Sequence, residues 1–207
     1  PFSYFHMNLR EGAHKQPDYL VKNRYGQVPA LRDGHNHVVQ SAAILEYLAE
    51  RHPGVWPADA TARAWARSAA AEMHGGFSHL RNICGMNVGI RVRLDDVPDG
   101  LRRNLDRLEA LWADGLARFG GPFLAGDSFT AVDAFFCPVA YRIQTYNPPI
   151  GDQARAYAAR LLALPLSGEI VKPDEAGQRV ELVPVLGKVA VDDAGPVGDV
   201  AGQAHLG

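Results

Sequence analysis

Strand patterning stops once along this chain, between His52 and Pro57. Before that point, short alternating runs are mixed with helical ones. After it, the clear patterns up to Leu164 repeat at helical spacing. Mixed structure followed by helices alone predicts two packed units rather than one interleaved sheet. The length of 207 residues allows one large domain or two small ones, at roughly 150 residues per domain.

In the first unit, Phe5, Met7 and Leu9 alternate with His6 and Asn8, which predicts a strand. Residues 17–24 predict a short helix, with Pro17 in its first turn and Gly26 closing it. Residues 28–32 and 37–40 predict two strands joined by a hairpin at Asp33-Gly34. Ser41 is expected to cap the next helix, in which Ile44, Leu45 and Leu48 share a face. That helix stops near His52-Pro53-Gly54.

In the second unit, residues 58–81 predict one Ala-rich helix. Its Gly75-Gly76 doublet is expected to allow a close helix–helix approach, since glycine otherwise only weakens a helix. Residues 87–100 form a polar loop. Leu101, Leu105, Leu108, Trp112, Leu116 and Phe119 mark an amphipathic helix ended by Gly120-Gly121-Pro122. Thr130 opens the strongest helix, with Val132, Phe136, Val139 and Ile143 on its stripe and a kink expected at Pro138. Residues 152–164 form a last helix. Residues 167–207 are rich in Gly, Val, Asp and Pro without helical period, and predict a poorly ordered or loosely packed tail. Within it, 180–183 and 188–191 are strand-like but have no evident sheet to join.

Composition removes several function classes. Lys plus Arg number 21 against 23 Asp plus Glu, which leaves no basic excess for a nucleic-acid backbone. No apolar run approaches the roughly 18 residues of a membrane span. Two cysteines, Cys84 and Cys137, cannot build a disulfide framework or a four-cysteine zinc site. Their apolar settings fit a reducing, cytoplasmic location. His35-Asn36-His37 lacks a third ligand at metal-binding spacing, so no metal is expected.

Two short stretches carry binding chemistry. The first is Gln27-Val28-Pro29-Ala30-Leu31. A proline at a strand start donates nothing to the ladder. If its bond is cis, the Val28 N–H and C=O are left free to pair with an extended peptide. A trans edge proline with no ligand is the plainer reading, since about 5–6% of X–Pro bonds are cis. The second stretch is Gln40-Ser41 at a helix mouth, where free N–H groups suit a carboxylate. Simple capping by Ser41, worth about 1 kcal/mol, is the alternative.

Together, QVPALRDG and VVQSAAILEYL resemble the glutathione S-transferase superfamily. The resemblance runs from about Phe2 to Leu164 and lies near the bacterial maleylacetoacetate isomerase, or zeta-like, branch. Phe129-Thr130-Ala131-Val132-Asp133 resembles the capping box and hydrophobic staple of the family's core helix, with Thr130 and Asp133 structural. Phe129 is expected to pack against Ala134 or its neighbour. Met73-His74-Gly75-Gly76-Phe77 and Met86-Asn87 are similar to a bacterial subgroup.

The resemblance implies a thioredoxin-like N-terminal domain over 1–52, incomplete here, and an all-α bundle over 58–166. It implies glutathione as co-substrate, held by Gln27, Val28, Pro29, Gln40 and Ser41, and a small electrophile as second substrate. His74 either faces the acceptor cleft or sits at a domain or subunit interface. A homodimer is expected at full length. The thiol-activating residue is expected upstream of Pro1, because no residue of this chain matches its position. The chain is thus expected to be truncated before the first strand–helix pair and altered after Leu164. A transferase is the leading activity; a glutathione-dependent cis–trans isomerase of the maleylacetoacetate type and a non-catalytic glutathione-fold binding module or inactive fragment are the alternatives.

Overall fold

The structure is a computed structural model and describes residues 7–9, 11–164 and 189–191, the last three as backbone only. A 3-10 turn, Ala13–Lys15, leads into helix α1, Pro17–Lys22, which has Pro17 in its first turn. Strands β1, Ala30–Asp33, and β2, Asn36–Val39, pair antiparallel with Ala30 opposite Val39. Helix α2, Ser41–Ala49, follows at once. Helices α3, Ala60–Gly75, and α4, Ser78–Ile83, begin the second unit. Strand β3, Val92–Leu94, precedes the long helix α5, Asp99–Phe119. Helices α6, Ala131–Tyr146, and α7, Asp152–Leu162, complete the bundle, and strand β4 is Val189–Val191.

Several sequence expectations change. Met7 to Leu9 form no strand, and Phe5 and His6 lie outside the described residues. Leu9 and Asn8 instead accept the turn bonds of Gly12 and Ala13. The hairpin loop is Gly34-His35, not Asp33-Gly34, since Asp33 still pairs with Asn36. Gly34 takes φ +60° at the first loop position, where a two-residue hairpin of the II′ kind needs glycine. The expected helix over 58–81 breaks after Gly75. Neither Gly75 nor Gly76 lets another helix approach. The break stands because Arg81 reaches back and donates to the Met73, His74 and Gly76 carbonyls, satisfying the end of α3. The close approach lies at Gly115, where a Cβ would run into the Trp65 ring and the Leu124 carbonyl.

The loop over 87–100 contains β3, and the tail's Val189–Val191 pairs with it antiparallel, giving that segment the sheet partner its sequence did not disclose. Residues 180–183 lie outside the described residues. Helix α6 runs on through Pro138 without interruption, with the Arg142 Nη1 donating to the Pro138 carbonyl at 3.2 Å.

The core lies in the second unit. Trp112, Phe136 and Tyr157 are fully buried and meet edge to face, with Trp112 5.6 Å from Phe136 and 4.7 Å from Tyr157. Such aromatic pairs add about 0.5–1.5 kcal/mol each beyond the area they bury. Beside them lies Asp133, with no exposed surface. Thr130 and Asp133 form the capping box, and the Thr130 N–H donates to Oδ2 at 3.0 Å. The other oxygen accepts from the Leu124 N–H at 3.0 Å and the Tyr157 hydroxyl at 2.7 Å. Burial pushes the Asp133 carboxyl above its ordinary value, and these donors pull it back. Burial also holds the Tyr157 hydroxyl well above its ordinary value, reinforced by Asp133. Phe129, just before the helix, is partly exposed and sits edge to face with Phe123 at 5.8 Å.

Replacing Asp133 with Ala leaves four donors, the Leu124 N–H, the Thr130 N–H and hydroxyl, and the Tyr157 hydroxyl, without their acceptor. At about 1–3 kcal/mol per buried unsatisfied group, the loss is expected to exceed 3 kcal/mol. A urea titration checks this; a loss under 1 kcal/mol contradicts the role. Glu72 on α3 pairs with Arg107 on α5 through two bonds of 2.6 and 2.7 Å. The hydrogen bond from Arg107 holds the Glu72 carboxyl below its ordinary value, against opposing burial. A depressed carboxyl stabilises the fold above its unfolded value and loses that contribution as pH falls through the folded one. Glu72→Gln is therefore expected to cost up to about 1 kcal/mol at neutral pH, at the range of partly exposed pairs. The difference shrinks in acid, and denaturant titrations across pH report it.

Candidate functional site

The register of the hairpin brings the two binding stretches together. Ala30 faces Val39, so the next residues outward, Pro29 and Gln40, leave the ladder side by side. The Gln40 side-chain amide donates to the Gln27 side-chain oxygen, which ties the two stretches directly. The Val28-Pro29 bond is cis. Val28 precedes the ladder, is 42% exposed, and its N–H and C=O bond to no other described residue.

Helix α1 fixes the strand start from behind. The Tyr19 hydroxyl and the Asn23 Nδ2 each donate to the Gln27 carbonyl at 2.7 Å. The Lys15 ammonium donates to the Gly26 carbonyl at 2.9 Å. The carbonyls of residues 26 and 27 are thus used, and that of residue 28 has no partner among the described residues.

The mouth of α2 differs from the expectation in one respect. Ser41 is the first helical residue, and Gln40, at φ 74°, is the boundary. No side chain caps this end. The first intrahelical bond runs from the Ile44 N–H to the Gln40 carbonyl at 3.0 Å. The N–H groups of Ser41, Ala42 and Ala43 therefore have no carbonyl within the helix. Their dipoles make this end partly positive. The reason for the shift is the tight entry: only Gln40 separates β2 from α2, which leaves no extended residue in front to cap with.

Helix α2 is braced against the second unit. Glu46 pairs with Arg67 of α3 through bonds of 3.0 and 2.7 Å, and the Arg67 guanidinium lies 5.7 Å from the Trp56 ring. His74 is exposed two turns further along α3 on the face of Arg67. Its ring meets Phe135 of α6 edge to face at 6.2 Å. His74 therefore stands where α3 meets α6.

The five groove residues carry no titratable group. What they offer is an unpaired backbone edge, two side-chain amides, a hydroxyl and a positive helix end. An extended ligand can pair with the edge, and its carboxylate can sit on the helix end.

Comparison with known proteins shows the family. The family model described as the glutathione S-transferase N-terminal domain matches residues 1–50, and that of the C-terminal domain matches residues 91–163. A maleylacetoacetate isomerase of Rhizobium meliloti is 30% identical over 151 residues, 68% of this chain and 69% of that protein. The chain belongs to the glutathione S-transferase superfamily. A zeta-class glutathione S-transferase of Euphorbia esula is 31% identical over 140 residues, 66% of this chain. The chain spans less than two thirds of that relative, 62% of its length. The crystal structure of a maleylacetoacetate isomerase from Methylobacterium extorquens AM1, with bound malonate and glutathione, superposes at a TM-score of 0.56. It is 26% identical and covers 77% of this chain and 79% of that one.

In this chain, the structure gathers Gln27, Val28, Pro29, Gln40 and Ser41 at one edge and places His74 apart, on α3. Tyr19, Asn23 and Lys15 escaped the sequence reading. Tyr19 and Asn23 are four apart, so their shared helix face was readable, but the carbonyl they hold was not. His37 lies against the Lys22 carbonyl at 3.0 Å, and Asn36 donates to the Tyr47 hydroxyl at 3.0 Å, so this pair of hairpin residues is engaged locally. Among the described residues, no group of three or more His, Cys, Asp or Glu is placed to hold a metal. Burial pushes the Cys84 thiol up to about 12 and the Cys137 thiol up to about 11, so neither is a thiolate near neutral pH. No described helix is long and apolar enough to cross a membrane.

Proposed function

We propose that this chain binds glutathione along the edge that starts at Val28 and serves a transferase that adds the glutathione thiolate to a small electrophile. The observation that carries the reading is the open Val28 backbone beside an uncapped α2 terminus. In this reading the cysteinyl part of glutathione pairs with Val28, and Gln40 and Ser41 hold the γ-glutamyl end. Gln27 keeps Gln40 in place or reaches the glycyl end. Phe135 and His74 border the space for the electrophile. Thiolate is the attacking form of glutathione. No described residue is assigned its activation.

The Rhizobium meliloti and Methylobacterium extorquens matches favour a second reading, a glutathione-dependent cis–trans isomerase. The two differ in stoichiometry. A transferase consumes one glutathione per product, whereas an isomerase turns over many substrates on a catalytic amount. The full-length protein is proposed to be a cytoplasmic homodimer acting in detoxification, without nucleic-acid or membrane partners. Sedimentation of the full-length protein tests the dimer.

Ser41→Ala tests the site. Because the Ser41 side chain caps nothing, the melting temperature is expected to stay within about 1–2 °C of the parent. Loss of one hydroxyl contact is expected to weaken glutathione binding about 5- to 10-fold by calorimetry. Equal binding removes Ser41 from the site, and absence of any glutathione heat from the parent protein removes the reading itself.

A further inference from the structure

Helix α7 starts on the flank of α5, and a cavity of about 240 Å³ lies between them. Glu109, Trp112 and two alanines form its α5 wall, and the start of α7 forms the other. The seam is tight at Gly151, whose N–H donates to Glu109 Oε1 at 3.0 Å. A Cβ on Gly151 would stand 3.3 Å from Glu109 Oε2, so glycine lets the carboxylate lie against the helix start. The loop before α7 is held as well. Arg102 donates to the Pro149 carbonyl at 3.1 Å, and Arg155 to the Pro148 carbonyl at 2.9 Å.

Two features of the wall point to a ligand. Trp112 is 1% exposed, and its indole N–H is buried with no acceptor. A buried donor left unpaired is costly and rare. Helical side chains lean toward the N-terminal end of their helix, so this ring lies over the turn of Glu109, at the cavity. The other feature is the bare start of α7. No side chain caps it, and its first bond runs from the Arg155 N–H to the Gly151 carbonyl at 3.1 Å. The N–H groups of Asp152, Gln153 and Ala154 therefore have no carbonyl within the helix. Ala154 is buried and lines the cavity.

Charge decides what fits. Glu109 and the first-turn Asp152 already set two carboxylates beside the positive end of α7. A further anion meets repulsion there, and an ammonium leaves the indole N–H without an acceptor. A neutral carboxamide meets neither objection, because it carries an acceptor oxygen and two N–H donors. Glu109 Oε2 accepts from no described residue and no described ion pair includes it, so it is open to such a donor. The methyl groups of Ala110, Ala113 and Ala154 suit a short alkyl tail.

We propose that the α5–α7 cavity is a second binding site, for a small neutral carboxamide whose oxygen accepts from the Trp112 indole N–H and whose nitrogen donates to Glu109. The site is lined by the second unit alone and goes beyond the reading of the Val28 edge.

The test is a titration of the ¹⁵N-labelled full chain with isobutyramide, followed by the indole N–H signals in NMR. The chain has three tryptophans, and Trp112→Phe identifies the signal of that residue by its loss. Where that variant does not fold, Trp56→Phe and Trp65→Phe identify it by elimination. Isobutyramide is expected to move the Trp112 signal saturably and to leave those of Trp56 and Trp65 in place. Isobutyrate and isobutyramidinium, of the same shape, are expected to bind at least about 10-fold more weakly. Glu109→Gln keeps an oxygen for the Gly151 N–H but has none left for the ligand. It is expected to weaken isobutyramide about 5- to 10-fold. A Trp112 signal that isobutyramide does not move overturns the site. Tighter binding of either charged isostere overturns the ligand class, and an unchanged affinity in Glu109→Gln overturns the pairing. Ser41→Ala is expected to leave the titration as it is, so failure of this site and failure of the glutathione reading are told apart.

Discussion

The carboxylate of Asp133 is the fixed point of this molecule. A fully buried acid is tolerable only when donors surround it, and here the donors come from three places in the chain. Thr130 belongs to the start of α6, Leu124 to the preceding loop and Tyr157 to α7. One side chain therefore sets where α6 begins and how α7 lies on it. The next link reaches the first unit. The Ala131 N–H, at the first position of α6, donates to the Val55 carbonyl at 2.8 Å. Val55 lies in the short connection that follows α2. The position of α2, and with it the uncapped helix end, thus depends on a carboxylate in the other unit.

The groove itself is made by using up its neighbours. Tyr19, Asn23 and Lys15 occupy the carbonyls of Gly26 and Gln27, and β2 occupies the backbone from Ala30 onward. Among the described residues, Val28 between them has no backbone partner. An exposed strand edge invites any extended chain. A single open residue flanked by closed ones is a much narrower invitation, sized for a short peptide. The same economy holds at α2, where the absence of a cap leaves donors at the helix mouth.

The division into two units, the hairpin and the long helices were legible because each rests on local spacing. The stripe from Leu101 to Phe119 and the Thr130–Asp133 box are readable within a few residues of sequence. What was not legible is non-local. Nothing near Gly75-Gly76 announces that Arg81 will satisfy the broken helix end, so a helix running past the doublet was the natural expectation. Phe129 has a staple pattern, but its ring contact with Phe123 across a turn is not readable from that pattern. At the site, Gln27, Val28, Gln40 and Ser41 could be picked out because proline and helix-start chemistry mark them. The supports in and around α1 could not, because a tyrosine on a short helix and an asparagine just beyond it have many possible partners. The cap at Ser41 failed by one position, because β2 runs into α2 with only Gln40 between them.

Charge is distributed so that the two ends of the molecule differ in kind. The Val28 edge recognises with dipoles and amides, and none of its five residues titrates. Any pH dependence of a ligand held there arises from the ligand's own amine, carboxylates and thiol, or from the scaffold that holds the edge. The ion pairs around it, Glu46–Arg67 and Asp33–Arg51, are about half exposed and contribute little by themselves. The α4–α6 junction is the reverse: a formal charge taken out of water, with neutral partners only. A buried guanidinium held by carbonyls alone keeps much of its desolvation cost. Arg142 offsets part of that cost by satisfying the Cys84 carbonyl at the end of α4, which an apolar side chain at position 142 would leave open.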